Sequence, residues 1–292
     1  LYLPSRVKKL FKILSFFFIF FTIHSGFTQL SKTHYIPPIT STNITGQNVP
    51  PKEQWFHIST PSVSDVNFTI RRGDGSEFAT GTVSNAVPWT ERANLSNSNN
   101  DLYGYLLASP DNETEQILTQ HGFIIEADKE IYVSVRFRTT NHAGAIVSKG
   151  ESALGTRFRA GSLQVRNGYL NFVSIMATED NTLVSFDLPA VSLSGNFGLQ
   201  NIGPLSKGQS YIVASDDGLM GIIGTLIESN KPIVVNSGAA TGTFTLSDGN
   251  IGGSDFGVDQ IVGSELVGSE YIFVKGNGYN TWENVLIIAD QN

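Results

Sequence analysis

The sequence predicts an all-β protein built from repeated antiparallel β units. From residue 53 onward, short apolar segments rich in Val, Ile, Phe and Tyr alternate with Gly, Asn, Asp and Ser. No segment of ten or more residues shows helical periodicity. The stretch GFIIEADKEIYVS, which begins at Gly122, is echoed by GTLIESNKPIVVN, which begins at Gly224, with Gly, Glu, Lys and the closing Ile and Val at the same offsets. Such repeats usually present surfaces to a partner rather than enclose a reaction.

Residues 1–28 have the features of a signal peptide. Four basic residues precede the apolar run Ile13 to Ile23, which is too short to span a bilayer and suits the central region of an export signal. Gly26 and Thr28 would satisfy the small-residue cleavage rule and leave Gln29 as the mature N-terminus. The following residues, 29–51, are rich in Pro, Thr, Ser and Asn and predict an extended entry segment.

The charge and the cysteine content restrict the partners and the compartment. The whole chain has a formal net charge of −7, and removing residues 1–28, whose four charges are all basic, makes it −11. A chain this acidic argues against nucleic acid or an anionic membrane as partner. Cysteine is absent, which favours bacterial export over a disulfide-bonded eukaryotic module.

The echoes divide residues 52–292 into units. Each unit is predicted to contain an opening hairpin, middle strands and a closing hairpin with the pattern GxxIExxKxIxV, once over about 54–137 and again over about 171–238. FVSIMATED at Phe172 is echoed by NVLIIADQN at Asn284, which predicts a third unit that begins at about 284 and is truncated. Repeated β units of this kind are compatible with propeller-like blades or with stacked β-sandwiches.

Several motifs occur together in one order along the chain. They are SKGESALGTRFRAGS (148–162), SNKPIVVNSG (229–238), SDFGVDQIVGSELVGSEYIFVKGNG (254–278) and ENVLIIAD (283–290). In these motifs the chain resembles the N-terminal domain of IgGFc-binding-type proteins, in particular the bacterial branch in Bacteroidota, with gliding-motility-associated or type IX-secreted chains. The resemblance implies a secreted or surface-exposed adhesive module, and it does not imply IgG binding.

Two short motifs could bind a ligand or a metal ion. Asp248, Asn250 and Asp259 have oxygen-bearing side chains around a Gly-rich stretch, in spacings similar to those of a calcium loop, although no helices flank it. The alternative for this stretch is a Gly-rich connection between repeats. Arg72-Gly73-Asp74 could act as an integrin-type ligand, but Gly-Asp-Gly is also ordinary turn chemistry, which we favour.

The sequence offers little support for catalysis. GESAL at Gly150 lacks the second glycine of a nucleophile elbow. The histidines after residue 28 are scattered, without metal-ligand spacing, and each is predicted to be a strand-surface or loop residue; they are His34, His57, His121 and His142. Glu126 and Glu228 could form a glycosidase-type carboxylate pair, but their recurrence in equivalent positions favours a structural role.

These observations predict a non-enzymatic adhesion or recognition module, with no cofactor other than the candidate calcium ion. An extracellular glycan or glycoprotein is the expected partner, and the polar loops at Asn94 to Asn112 and Gly238 to Val258 are the expected contact regions. Two alternatives remain open, namely a secreted glycan hydrolase and a structural spacer within a longer surface protein.

Overall fold

The computed structural model describes residues 29–42, 50–93, 104–139, 142–165, 168–217, 221–243, 254–274 and 285–290. These residues form strands, one short helix α1 (Pro110–Glu113) and two 3-10 turns (Gly150–Ala153 and Ser264–Leu266). The strands are β1 (Ser31–Ile36), β2 (Ile39–Thr40), β3 (Glu53–Ser59), β4 (Val66–Arg72), β5 (Glu77–Val83), β6 (Trp89–Arg92), β7 (Leu107–Ala108), β8 (Phe123–Arg138), β9 (Ala143–Val147), β10 (Gly155–Arg159), β11 (Gln164–Val165), β12 (Asn171–Ala177), β13 (Thr182–Leu188), β14 (Gly198–Leu205), β15 (Ser210–Ser215), β16 (Leu226–Thr243) and β17 (Asp255–Ile261). The predicted all-β class is confirmed.

The chain folds into two units with the same strand topology. In unit 1 the sheet order is β5-β4-β8-β3-β6, and β1 and β9 also pair with the central strand β8. In unit 2 the order is β14-β13-β16-β12-β15, and β10, β11 and β17 also pair with the central strand β16. When these five strands of each sheet are numbered along the chain, both units have the order third, second, fifth, first, fourth. The predicted repeat of antiparallel units is therefore confirmed, and each sheet curls into a nearly closed barrel.

The equivalence of the units extends to the register of their strands. The strands β1 and β10, which pair with the central strand of their unit, carry a register shift at the same place. The shift lies between Ser31 and Thr33 in β1 and between Gly155 and Arg157 in β10. Equivalent cross-strand pairs are Thr69–Glu126 and Ser185–Glu228, Thr33–Glu126 and Arg157–Glu228, and Trp55–Arg136 and Phe172–Gly238. Positions can thus be compared between units residue by residue.

The stretch predicted as a closing hairpin is a single long strand in both units, so this part of the prediction was wrong. In β8 the first half, 123–127, pairs with β1 and β4, and the second half, 131–138, pairs with β3 and β9. The polar residues 128–130 between the halves are exposed where the strand passes from one half of the barrel to the other. A barrel corner and a hairpin turn both favour exposed polar residues, so composition does not separate them.

The two units stack, with the outer face of β12 covered by unit 1. β12 is buried along its whole length, whereas the equivalent strand β3 alternates between buried and partly exposed residues. Phe172, Ile212 and Ala240 of unit 2 belong to the same hydrophobic cluster as Phe56 and Phe123 of unit 1. The inner face of β12 packs in a second cluster within unit 2. The outer face of β3 is therefore the uncovered counterpart of a stacking surface.

Two glycines allow a close backbone approach between the units. Gly73 lies in the turn between β4 and β5, and Gly208 lies in the turn before β15. A Cβ atom on Gly208 would lie 2.1 Å from the carbonyl oxygen of Gly73, and Gly208 has a φ of +85°. The nearby β-bridge between Leu118 and Ser210 also joins the units.

The predicted entry segment contains a strand of unit 1, whereas the described part of the predicted third unit contains no strand. Within residues 29–51, Ser31–Ile36 forms β1, an integral strand of unit 1. Residues 285–290 have no strand assignment, and Asp290 accepts a hydrogen bond at its carbonyl oxygen from Arg159 at 2.7 Å. The third unit stays a prediction, and residues 1–28 lie outside the described residues.

Candidate binding groove

The proposed calcium loop is only partly described. Asp248 and Asn250 lie outside the described residues. Asp259 lies in β17, where its carboxylate accepts a 2.7 Å hydrogen bond from Lys149 Nζ. In the described ranges no group of three or more His, Asp or Glu side chains could hold a metal ion. Calcium binding by Asp248, Asn250 and Asp259 stays a prediction.

The Arg72-Gly73-Asp74 motif forms a turn that packs against unit 2. Arg72 donates a 2.6 Å hydrogen bond to the Tyr105 hydroxyl, and its guanidinium lies 4.6 Å from the centre of the Tyr105 ring. The Asp74 carboxylate accepts a 2.9 Å hydrogen bond from the Ser76 amide. These contacts hold the side chains of the motif within unit 1, and they support the interpretation of the motif as turn chemistry.

The two loops expected to carry contacts are shorter than predicted. Strand β16 continues through Thr243 and β17 begins at Asp255, so much of the predicted loop Gly238 to Val258 is strand, and 238–243 are buried. The small residues of SGAATGT pack closely between neighbouring strands, and this explains why a Gly- and Ala-rich stretch is not a loop. Within the other loop, 107–108 form β7 and 110–113 form α1, while 94–103 lie outside the described residues.

A serine and a histidine are hydrogen bonded in the interior. His34 Nδ1 lies 2.9 Å from Ser148 Oγ, and His34 Nε2 lies 3.0 Å from the Ile131 carbonyl and 3.2 Å from the Ser31 carbonyl. His34 was predicted to be on a strand surface or in a loop, and this was wrong because it is fully buried. Burial lowers the pKa of His34. The pair has no access to solvent and His34 Nε2 contacts carbonyls rather than a carboxylate, so its geometry is that of a structural contact.

Glu126 and Glu228, the candidate carboxylate pair, occupy equivalent positions in different units. Glu126 lies 3.8 Å from Arg71, and Glu228 forms an ion pair with Arg157. Each glutamate lies in a surface groove at the bend of its long strand. We refer to these grooves as the corner grooves; their volumes are 490 Å³ in unit 1 and 440 Å³ in unit 2.

The corner grooves have equivalent linings, and a recurring structural contact explains them. The first is lined by Asn67–Thr69, Thr80–Thr82 and Glu126–Asp128, and the second by the equivalent Leu183–Ser185, Asn201–Gly203 and Glu228–Asn230. The Asp128 side chain accepts the amide N–H of Asn67 at 3.2 Å, and the Asn230 side chain accepts the amide N–H of Leu183 at 2.7 Å. The grooves therefore follow from how the barrel corner is held in both units.

A third groove occurs on the uncovered outer face of unit 1 and has no counterpart in the described part of unit 2. This Trp55 groove has a volume of 840 Å³ and is lined by Glu53, Trp55, His57, Arg136–Arg138 and Ala143–Ala145. Alternation along β3 points Phe56 into the core and Trp55 outward. Arg136 lies directly across from Trp55 on β3 and from Ala145 on β9. Strand pairing thus places an indole, an arginine and a small residue in one row.

The Trp55 groove is rich in positive charge. The Arg92 guanidinium lies 5.1 Å from the centre of the Trp55 ring, on the side opposite Arg136 in the strand order. Arg138 forms a 2.8 Å ion pair with Glu53, and this hydrogen bond lowers the pKa of Glu53. Partial burial and then the charge of Arg136 lower the pKa of His57. At neutral pH the groove therefore presents arginines and a neutral imidazole.

The equivalent positions in unit 2 explain why this groove exists only once among the described residues. Trp55, His57, Arg136 and Arg138 of unit 1 correspond to Phe172, Ser174, Gly238 and Ala240 of unit 2, all of which are buried. Those residues are apolar or small because unit 1 covers them. On unit 1 the same face carries aromatic and cationic side chains that would not pack in such an interface. The sequence-based predictions do not include this face, although the outward positions of QWFHIST and NFVSIMA differ in the same way.

Comparison with known proteins gave one match. The family model described as IgGFc binding protein matches residues 143–292, which is just over half of the chain and includes β9 and all of unit 2. A search of curated proteins and a search of solved structures each gave no significant match. No helix in the described part of the chain has the length and apolar character that a membrane span requires.

Proposed function

Since the chain belongs to the IgGFc binding protein family, we infer that it is a non-enzymatic, extracellular recognition module. The single observation that carries this function is the Trp55 groove, an open surface that combines an aromatic ring with arginines on the uncovered face of unit 1. Residues of these types are enriched among the side chains that dominate binding energy at protein surfaces.

The biological setting is part of the proposal. The export-type leader at residues 1–28, the absence of cysteine and the family motifs support a bacterial surface or secreted protein. The wider resemblance supports a place in the gliding-motility-associated, type IX-secreted branch of Bacteroidota, with this chain as one part of a longer adhesive protein. IgG is not proposed as a ligand.

The experiment is a binding screen of the purified protein on an array of glycans and host glycoproteins, with and without calcium, and with product release measured in the same wells. We expect retention on a subset of ligands without product. Loss of retention on chelation would support the calcium loop at Asp248, Asn250 and Asp259. Product release would overturn the non-enzymatic assignment and direct attention to the glycan hydrolase alternative.

A further inference from the structure

We propose that the Trp55 groove binds an anionic sugar residue, with the Trp55 indole against the sugar ring and the Arg136 guanidinium on its carboxylate or sulfate. This proposal rests on the proposed function, that the chain is a recognition module, and adds the site and the chemical class of its ligand.

The charge at the groove is the first argument. Arg138 is paired with Glu53, whereas Arg136 is exposed and its side chain has no hydrogen bond or ion pair with any residue in the described ranges. Arg92 flanks Trp55 from the other side, and its Nε atom is buried without a hydrogen-bond partner among the described residues. A protein with a net charge of −7 therefore keeps an unpaired guanidinium beside an indole. A guanidinium in this position can form a bidentate pair with a planar carboxylate.

The shape of the groove is the second argument. The edge strand β9 carries Ala143, Gly144 and Ala145 on one side of Arg136. These small residues leave a depression next to the taller side chains of Trp55 and Arg136, since cross-strand neighbours have Cβ atoms only about 5 Å apart. The depression is wide and open, which suits one or two sugar rings lying against the sheet.

The hydrogen-bonding groups that the groove offers favour a sugar over a peptide. The strands that carry Trp55 and Arg136, β3 and β8, are interior strands with neighbours on both sides, so their backbone N–H and C=O groups are used in the sheet. In the edge strand β9 the Ala143 N–H donates a 2.6 Å hydrogen bond to the Asp255 carboxylate of β17, so this edge faces unit 2 and not the groove. A peptide that adds a strand needs a free backbone edge. A sugar uses what remains here, namely an aromatic face for its C–H groups and cationic side chains for its anionic group.

Most residues that line the Trp55 groove lie outside the segment that matches the family model. Only its β9 residues, Ala143–Ala145, lie within the matched residues 143–292, while Trp55 and Arg136 precede them. In unit 2, which lies within the match, the corresponding residues Phe172 and Gly238 are buried.

The test measures binding by titration calorimetry with defined oligosaccharides. The carboxylate arm uses an oligogalacturonate and its methyl ester, which has the same sugar rings and hydroxyl groups but no negative charge. A sulfated galactan oligosaccharide forms the second arm, and oligoglutamate of similar charge forms the peptide arm. We expect binding of the oligogalacturonate, of the sulfated oligosaccharide, or of both, and no binding of the methyl ester or of oligoglutamate.

Substitutions locate the site. Arg136→Gln should weaken binding about ten-fold to a hundred-fold, as expected for loss of a charged hydrogen-bonded pair, and Arg136→Lys should restore part of the affinity. Trp55→Ala should abolish detectable binding, with circular dichroism and the melting temperature confirming that the variant is folded. Arg71→Gln is the matched control, because it removes an arginine of unit 1 that lies at a corner groove instead.

The outcomes separate this inference from the proposed function. Equal losses in Arg136→Gln and Arg71→Gln would show general charge attraction and overturn the inference. Selective binding of oligoglutamate would overturn it in favour of an acidic peptide. Retention of neutral glycans or glycoproteins in the array, unaffected by Arg136→Gln, would overturn it while leaving the recognition function intact. Sugar hydrolysis in the same titrations would overturn the recognition function itself.

Discussion

The buried His34 should make the stability of the protein depend on pH. Its pKa is lowered by burial, so the folded state holds it neutral, whereas the unfolded chain binds a proton below the ordinary imidazole pKa. The free energy of unfolding should therefore fall as the pH drops from about 6.5 towards the lowered pKa, by up to about 1.4 kcal/mol per pH unit for this one proton. Burial also lowers the pKa of His57 and His121, which adds to the slope in the same direction.

Urea denaturation at a series of pH values between 5 and 8 checks this prediction. His34→Gln should reduce the slope of stability against pH, whatever its effect on stability at neutral pH. His57→Gln is the control, because His57 is only partly buried and should change the slope less. A His34→Gln slope equal to that of the unsubstituted protein would refute the role of His34.

Because Gly208 lies so close to Gly73, position 208 should not tolerate a side chain. Gly208→Ala introduces a Cβ atom 2.1 Å from the Gly73 carbonyl oxygen at a positive φ, and we expect a loss of about 2–4 kcal/mol in the free energy of unfolding from overpacking and backbone strain together. Chemical denaturation measures this loss.

Gly75→Ala separates the two causes. Gly75 has a similar φ of +80°, but a Cβ atom added there would have no atom within 4 Å, so only the strain of about 1 kcal/mol should remain. Equal losses for Gly75→Ala and Gly208→Ala would mean that contact between the units contributes nothing at this position.

At the scale of strands, the corner contact should be interchangeable between units. The side-chain oxygens of Asp128 and Asn230 accept equivalent amide N–H groups. Asp128→Ala and Asn230→Ala should each cost about 1–2 kcal/mol, because each side chain accepts the amide N–H and makes one further hydrogen bond, Asp128 from Asn67 Nδ2 and Asn230 to the Asn181 carbonyl. The swaps Asp128→Asn and Asn230→Asp keep the acceptor for the amide N–H and lose only the second contact, so they should cost less than the alanine substitutions. Melting curves of the four variants measure this, and swaps as costly as the alanine substitutions would contradict the equivalence of the units.

The sequence predicted the strands better than their connections. The opening hairpins WFHISTPSVSDVNFTI (55–70) and FVSIMATEDNTLVSFD (172–187) align in sequence without a gap. Their first strands, WFHIS and FVSIM, align in the same way in the structure. Their second strands are displaced by one residue from the sequence alignment, because Ile70 corresponds structurally to Phe186 rather than to Asp187. The turn between the two strands is therefore one residue shorter in unit 2 than in unit 1. The polar residues of such a turn do not show from sequence where one residue has been lost. For the same reason the exposed corner of β8 was predicted as a turn.

At the scale of the whole molecule, the candidate site was the part least accessible to sequence reasoning. Calcium ligands and carboxylate pairs have recognisable spacings, whereas the Trp55 groove is formed by β3 and by the consecutive strands β8 and β9, which follow much later in the chain. The groove exists because the outer face of β3 is uncovered in unit 1, whereas the equivalent face of β12 is buried in unit 2. This difference depends on how the units stack, and repeat patterns within one unit do not encode it.

The central claim is that ligand recognition takes place at the Trp55 groove, and an NMR titration tests it most directly. With ¹⁵N-labelled tryptophan, the indole N–H signals of Trp55 and Trp89 can be followed as a ligand retained in the screen is added, with Trp55→Phe and Trp89→Phe providing the assignments. Trp89 is the internal control, since its ring packs 4.9 Å from that of Phe68, outside the groove. We predict that the Trp55 signal shifts in proportion to bound ligand while the Trp89 signal stays in place. A ligand that binds without moving the Trp55 signal would contradict the account.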